Sequence, residues 1–146
     1  MSKPCQVDFY VLASAEQSAK HIACRLAMKA WEQGYRVMVL AADENEAALL
    51  DGIMWDFPVG RFLPHSRGAA DTDTPVSIDV HGAEIPGGRD VVINMADLPV
   101  SEPGRFKRLL EIVPGAEQQR RASRQKFRVY REQGLEPSTH DMAPGQ

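Results

Sequence analysis

Arg124, Phe127, Arg128 and Arg131 recur at i, i+3, i+4 and i+7, the spacing that puts four side chains on one face of a helix. Guanidinium groups present planar, paired donors that suit carboxylates and phosphates, and an aromatic ring among them can line an apolar slot. The chemistry on offer is recognition of an anion with an apolar part, either an acidic peptide or a nucleic acid. These residues lie within "RRASRQKFRVYREQG" (120–134), which carries five arginines and one lysine.

The surrounding charge narrows the choice. The chain of 146 residues has a formal net charge of −3, yet residues 105–131 hold nine Lys/Arg against two Asp/Glu. That segment is therefore +7 and the rest −10, which speaks against a wide electrostatic footprint for nucleic acid.

Other residues offer less chemistry. The turn after the first expected strand, "LASAEQS", has no glycine, and no GxxxxGK[ST] motif exists, so a Gly-rich phosphate cradle is not expected. His65 follows Pro64 at a strand end, where open α/β sheets place functional groups, but no GxSxG nucleophile motif accompanies it. "DVH" (79–81) supplies two potential metal ligands without a third. Asp43, Glu44 and Glu46 read as helix capping and dipole compensation, and His21 as a packed or partly exposed helix residue. A small enzyme using His65 or Asp43 is thus the weaker alternative, and neither cofactor nor metal is expected. Cys5 and Cys24 make no disulfide framework, and Cys24 falls in an apolar helical stripe as a core thiol. With no signal peptide and no membrane-length apolar run, the reading is a cytoplasmic protein.

The elements that must position the basic face follow from periodicity. "VDFYVLA" (7–13) and "YRVMVLAAD" (35–43) read as strands flanking a helix that Ser14 would cap and Gly34 would end. "ENEAALLDGIMW" (44–55) is a second helix, and "RFLPHS" (61–66) an edge strand. "PVSIDV" (75–80) and "DVVINMA" (90–96) are further strands. "RFKRLLEIV" (105–113) reads as a helix and residues 116–133 as the last helix. Residues 135–146 read as a fraying tail after a single domain over 1–134. The order βαβα implies a three-layer α/β/α sandwich around a mostly parallel, Rossmann-like sheet without a phosphate loop. Trp55, Phe57, Phe62 and Leu63 crowd nine residues, more than a short edge strand buries, which suggests a partner surface.

Several of these stretches, taken together, resemble the chi subunit of bacterial DNA polymerase III holoenzyme. They are "VDFYVL", "ACRLAMKAWEQGYRVMVLAADENEAALLDGIMW", "RFLPHS", "DVVINMA", "RFKRLLEIV" and "SRQKFRVYREQGLEPSTHDM", in the family's order. The resemblance implies a non-catalytic replication accessory protein. It would pair with the psi subunit, hang from the clamp loader, and grip the C-terminal tail of single-stranded DNA-binding protein. That tail is acidic and ends in an aromatic residue with a free carboxylate. Arg124, Arg128 and Arg131 would meet carboxylates, with Val113 and Phe127 lining the aromatic slot. Trp55, Phe62, Leu63, Pro64 and His65 would form or support the psi-facing surface. Nucleic acid would be met indirectly and a membrane not at all. Gln125 and Lys126 stand where the family usually has an acidic residue and then Arg, and Phe127 where Tyr is common. Direct single-strand binding through the same helix remains the alternative.

Overall fold

A computed structural model describes residues 5–14, 18–56, 63–67, 74–85 and 87–142. The elements are β1 (Gln6–Leu12), α1 (Ala19–Glu32), β2 (Val37–Ala41), α2 (Glu44–Asp56), β3 (His65–Arg67), β4 (Val76–Val80), β5 (Val91–Asn94), β6 (Arg108–Val113), α3 (Glu117–Glu132) and β7 (Ser138–Met142). The strands form one seven-stranded sheet in the order β3-β4-β2-β5-β6-β1-β7, and every pairing is parallel.

Alternation along the strands builds two cores. Val37, Val39, Val91, Ile93, Leu110 and Ile112 point to the side covered by α1 and α2. Met38, Leu40, Val92, Leu109, Val7 and Phe9 point to the side covered by α3, where Val100 and Phe106 of the β5–β6 connection also pack. The third layer is thus one helix plus a folded loop. Strands buried on both faces read as continuous apolar runs, as parallel sheets require.

Helix ends follow local chemistry. Asp43 Oδ1 accepts from Glu46 N at 2.8 Å while Glu46 Oε1 accepts from Ala42 N at 2.8 Å, and the two bonds start α2. Gly34 and Gly134 follow α1 and α3 at φ +90° and +87°, where a side chain would be strained. The cap of α1 is Ser18, whose hydroxyl accepts from His21 N at 3.2 Å, so the helix begins later than Ser14 would have set it. Cys24 is buried as expected, and burial pushes its thiol up to about 12.

Two further corrections bear on function. Residues 108–113 are strand β6, not helix: an apolar run with both faces covered looks the same in either period. Residues 138–142 do not fray. They extend the sheet as β7 against β1, with Thr139 beside Phe9 and His140 beside Tyr10. The five residues are mostly exposed and polar, so they carry no apolar signal of an edge strand.

Candidate functional site

Helix α3 is fixed to the sheet by its inward residues and offers its outward ones. Tyr130 is fully buried; its hydroxyl donates to Glu111 Oε2 at 2.6 Å and accepts from Val100 N at 2.9 Å. Lys126 is also buried and donates to Glu111 Oε1 at 2.7 Å and Ala96 O at 2.8 Å. Asn94 Nδ2 adds a third donor to Glu111 at 3.0 Å. Burial pushes the Glu111 carboxyl up; Lys126, Asn94 and Tyr130 pull it back without cancelling the rise. Burial and the neighbouring carboxylate likewise raise the Tyr130 phenol.

With Lys126 and Tyr130 turned inward, helical geometry turns Arg124, Arg128 and Arg131 outward, and all three are exposed. Phe127 is half-buried, its ring 5.5 Å from that of Phe9 on β1. Beside it lies a pocket of about 310 Å³. Phe9, Val11 and Val113 supply its sheet side, Phe127, Arg124, Arg120 and Ser123 its helix side, and Thr139 of β7 its far wall. A second hollow of about 440 Å³ runs on from Arg124 and Phe127 to Arg128, Arg131 and Glu132. An apolar slot therefore opens into a cationic groove.

The cations differ in their commitments. Arg120 donates to Leu12 O at 3.2 Å, and its Nε is buried with no hydrogen-bond partner. Arg124 donates to Glu117 Oε1 at 3.1 Å, and Arg121 Nε lies 3.4 Å from the same oxygen. The hydrogen bond from Arg124 leads in holding the Glu117 carboxyl below its ordinary value. Arg128 and Arg131 make no ion pair among the described residues.

The structure brings together Val113, Arg124, Phe127, Arg128 and Arg131 around adjoining hollows. Sequence reasoning missed Phe9, Val11, Arg120, Ser123 and Thr139. Arg120 could have been found one turn before Arg124; Phe9 and Thr139 needed the pairing of β1 with β7.

The second expected surface lies at the end of α2. Trp55 is 59 % exposed and stands edge-on to His65, ring centroids 5.0 Å apart. His65 Nδ1 donates to Leu63 O at 2.7 Å, and its Nε2 lies 3.1 Å from Asp51 Oδ1 without the alignment of a hydrogen bond. Leu63 is fully buried and Pro64 half-buried, so Leu63 can only support such a surface from within. Phe62 lies outside the described residues. The remaining histidines are held locally: His21 Nδ1 is 2.6 Å from Ser18 Oγ, His81 Nε2 donates to Pro99 O, and His140 Nε2 meets Asp8 Oδ1. No cluster of three metal-ligating side chains occurs among the described residues.

Residues 5–138 match the family model of the DNA polymerase III chi subunit, HolC. The chain belongs to this family. It is similar to the DNA polymerase III subunit chi of Pseudomonas aeruginosa, 44 % identical over 140 residues that cover 92 % of this chain and 95 % of the relative. The Haemophilus influenzae subunit chi is 27 % identical over 97 % of this chain and 99 % of its own length. That of Escherichia coli is 26 % identical over 84 % of each. Family membership places the chain among replication accessory proteins. Two solved structures share its fold: S. cerevisiae Dbp5 bound to RNA and ADP BeF3 (TM-score 0.63, 13 % identity) and T4 UvsW (TM-score 0.67, 5 % identity). Each comparison covers 94 % of this chain and 41 % of the other. At these identities the likeness is one of architecture, and the site must argue the function.

Proposed function

We propose that this chi-family chain is an adaptor of DNA polymerase III rather than a catalyst. It joins the clamp loader, through psi, to single-stranded DNA-binding protein, through that protein's acidic C-terminal tail. The carrying observation is the junction of slot and groove on α3. The slot of Phe9, Val113 and Phe127 takes the terminal aromatic ring. Arg120 and Arg124 stand at its rim to meet the free carboxylate. Arg128 and Arg131 continue along the helix to meet the preceding acidic residues. Trp55, backed by His65 and Leu63, supplies the psi-facing surface together with Phe62 and Pro64, their neighbours in sequence. Nucleic acid is then met through its binding protein, in the cytoplasm.

The test is a titration of the protein with a peptide of the acidic tail. Each charged contact contributes about 1.5–3 kcal/mol, so Arg128→Ala weakens binding roughly tenfold or more. Phe127→Ala does the same by emptying the slot. Binding that survives both substitutions unchanged would sink the assignment.

A further inference from the structure

The opposite face of the sheet holds a second cavity that the adaptor reading leaves unused. Helix α1 packs chiefly on β2, β5 and β6. Beyond its edge, between α1 and those strands, lies a hollow of about 520 Å³. Its floor is apolar, with Leu26 from α1, Leu110 from β6 and Met142 from β7. Its rim is cationic, with Arg25 and Lys29 one helical turn apart and Arg108 across from them. No carboxylate lines it among the described residues.

Like charges one turn apart on a helix repel, and three cations around one hollow raise the local potential. Part of Arg108 is committed: it donates to Asp8 Oδ2 at 2.8 Å, behind the cavity. Its Nε remains buried without a partner. Burial pushes Asp8 up, but hydrogen bonds from Arg108 and His140 outweigh it and hold the carboxyl below its ordinary value. The buried carboxylate thus serves to hold Arg108 in place. Lys29 is exposed and has no ion-pair partner among the described residues. The arrangement repeats the chemistry of the α3 groove, an apolar floor beside arginines. Strand β1 separates the two hollows: Phe9 and Val11 line one, and Tyr10 between them lines the other.

We propose that the cavity between α1 and β6/β1 is a second pocket for an acidic, apolar-tipped peptide segment. The occupant follows from charge and shape: the three cations span one short hollow, too few for a nucleic-acid track. An apolar floor, for its part, has no use for a bare inorganic anion. The choice of this peptide chemistry rests on reading the α3 groove as a tail site. A partner presenting more than one such tail is then held on both faces, and the second contact gains from the high effective concentration set by the first.

The experiment is calorimetric titration of the 146-residue chain with a peptide of several aspartates ended by phenylalanine with a free carboxylate. Wild type binds two peptides. Arg124→Ala with Arg128→Ala leaves one, held in the α1 cavity; Arg25→Gln with Lys29→Gln leaves the other. These four positions are exposed, and circular dichroism checks that each variant folds. One peptide per wild-type chain, lost wholly in the α3 variant, overturns the proposal. So does an α1 variant that still binds two. If the α3 variant binds as wild type while the α1 variant loses all binding, the α3 reading fails and the α1 pocket stands. A fluorescent oligodeoxythymidylate bound by wild type and released by the α1 substitutions, with no peptide bound there, assigns the cavity to nucleic acid and overturns the proposal.

Discussion

Lys126 Nζ of α3 lies 2.7 Å from Glu111 Oε1 of β6, and both side chains are almost wholly buried. The pair sets which way α3 faces. Phe127 and Arg128 follow Lys126 directly, so turning Lys126 inward aims them at the groove. The basic segment is thus not one uniform face: one of its cations is spent inside the fold.

Removing one member of a buried pair strands the other in a low dielectric. Lys126→Met leaves the Glu111 carboxylate short of its charged donor and Ala96 O unpaired. We expect a loss of roughly 3–5 kcal/mol in urea unfolding. Arg128→Ala, at an exposed position, should shift the midpoint little. Equal stability of the two variants would show that Lys126 is not a structural cation.

Glu117 competes for the groove. Its carboxylate accepts from Arg124, seven residues on, and would be displaced by an incoming tail. Glu117→Gln should therefore tighten tail-peptide binding by about two- to fivefold at low salt, with the gain shrinking as salt rises. Fluorescence anisotropy at two ionic strengths reads both effects. A weaker complex would mean that Glu117 helps to hold Arg124 for the ligand.

Two buried carboxyls push the pH dependence of stability in opposite directions. Asp8 has its folded pKa lowered, so its contribution is present above the ordinary aspartate range and lost as pH falls through the lowered value. Glu111 has its folded pKa raised, so between its unfolded and folded values stability falls as pH rises. Urea midpoints across acid pH, with Asp8→Asn and Glu111→Gln as references, separate the two. The wild-type advantage over Asp8→Asn should shrink towards low pH. That over Glu111→Gln should shrink towards neutral pH.

Much of this was legible in the sequence, for physical reasons. The helical spacing of Arg124, Phe127, Arg128 and Arg131 needs no tertiary knowledge, and β1, β2, β4 and β5 show as alternating or apolar runs between turn residues, although β6 does not. What stayed hidden depended on partners distant in sequence. Glu111 falls in the stretch 105–113 that reads as helix, and its donors, Asn94, Lys126 and Tyr130, come from two other elements. Arg108 likewise meets its carboxylate, Asp8, a hundred residues away in sequence. Strand β7 has a polar, exposed sequence whose only reason to extend is the open edge of β1.

That strand gives the sharpest division between composition and structure. Composition makes residues 135–146 a fraying tail; the structure makes Ser138–Met142 a wall. Thr139 closes the far side of the α3 slot, and Met142 floors the α1 cavity. His140 donates to the buried Asp8 carboxylate at 2.9 Å and stacks on Tyr10, rings 5.0 Å apart. A chain ended after Pro137 exposes the β1 edge and removes one donor from Asp8, a loss of about 1–3 kcal/mol. For a domain of this size that lowers Tm by roughly 3 °C or more. Tail-peptide affinity should fall several-fold with it, because the slot loses Thr139. His140→Ala separates the two effects, since it removes the Asp8 contact but keeps the strand: it should lower Tm and leave peptide affinity near wild type. A truncated chain with unchanged Tm and unchanged affinity would return these residues to the status of a tail.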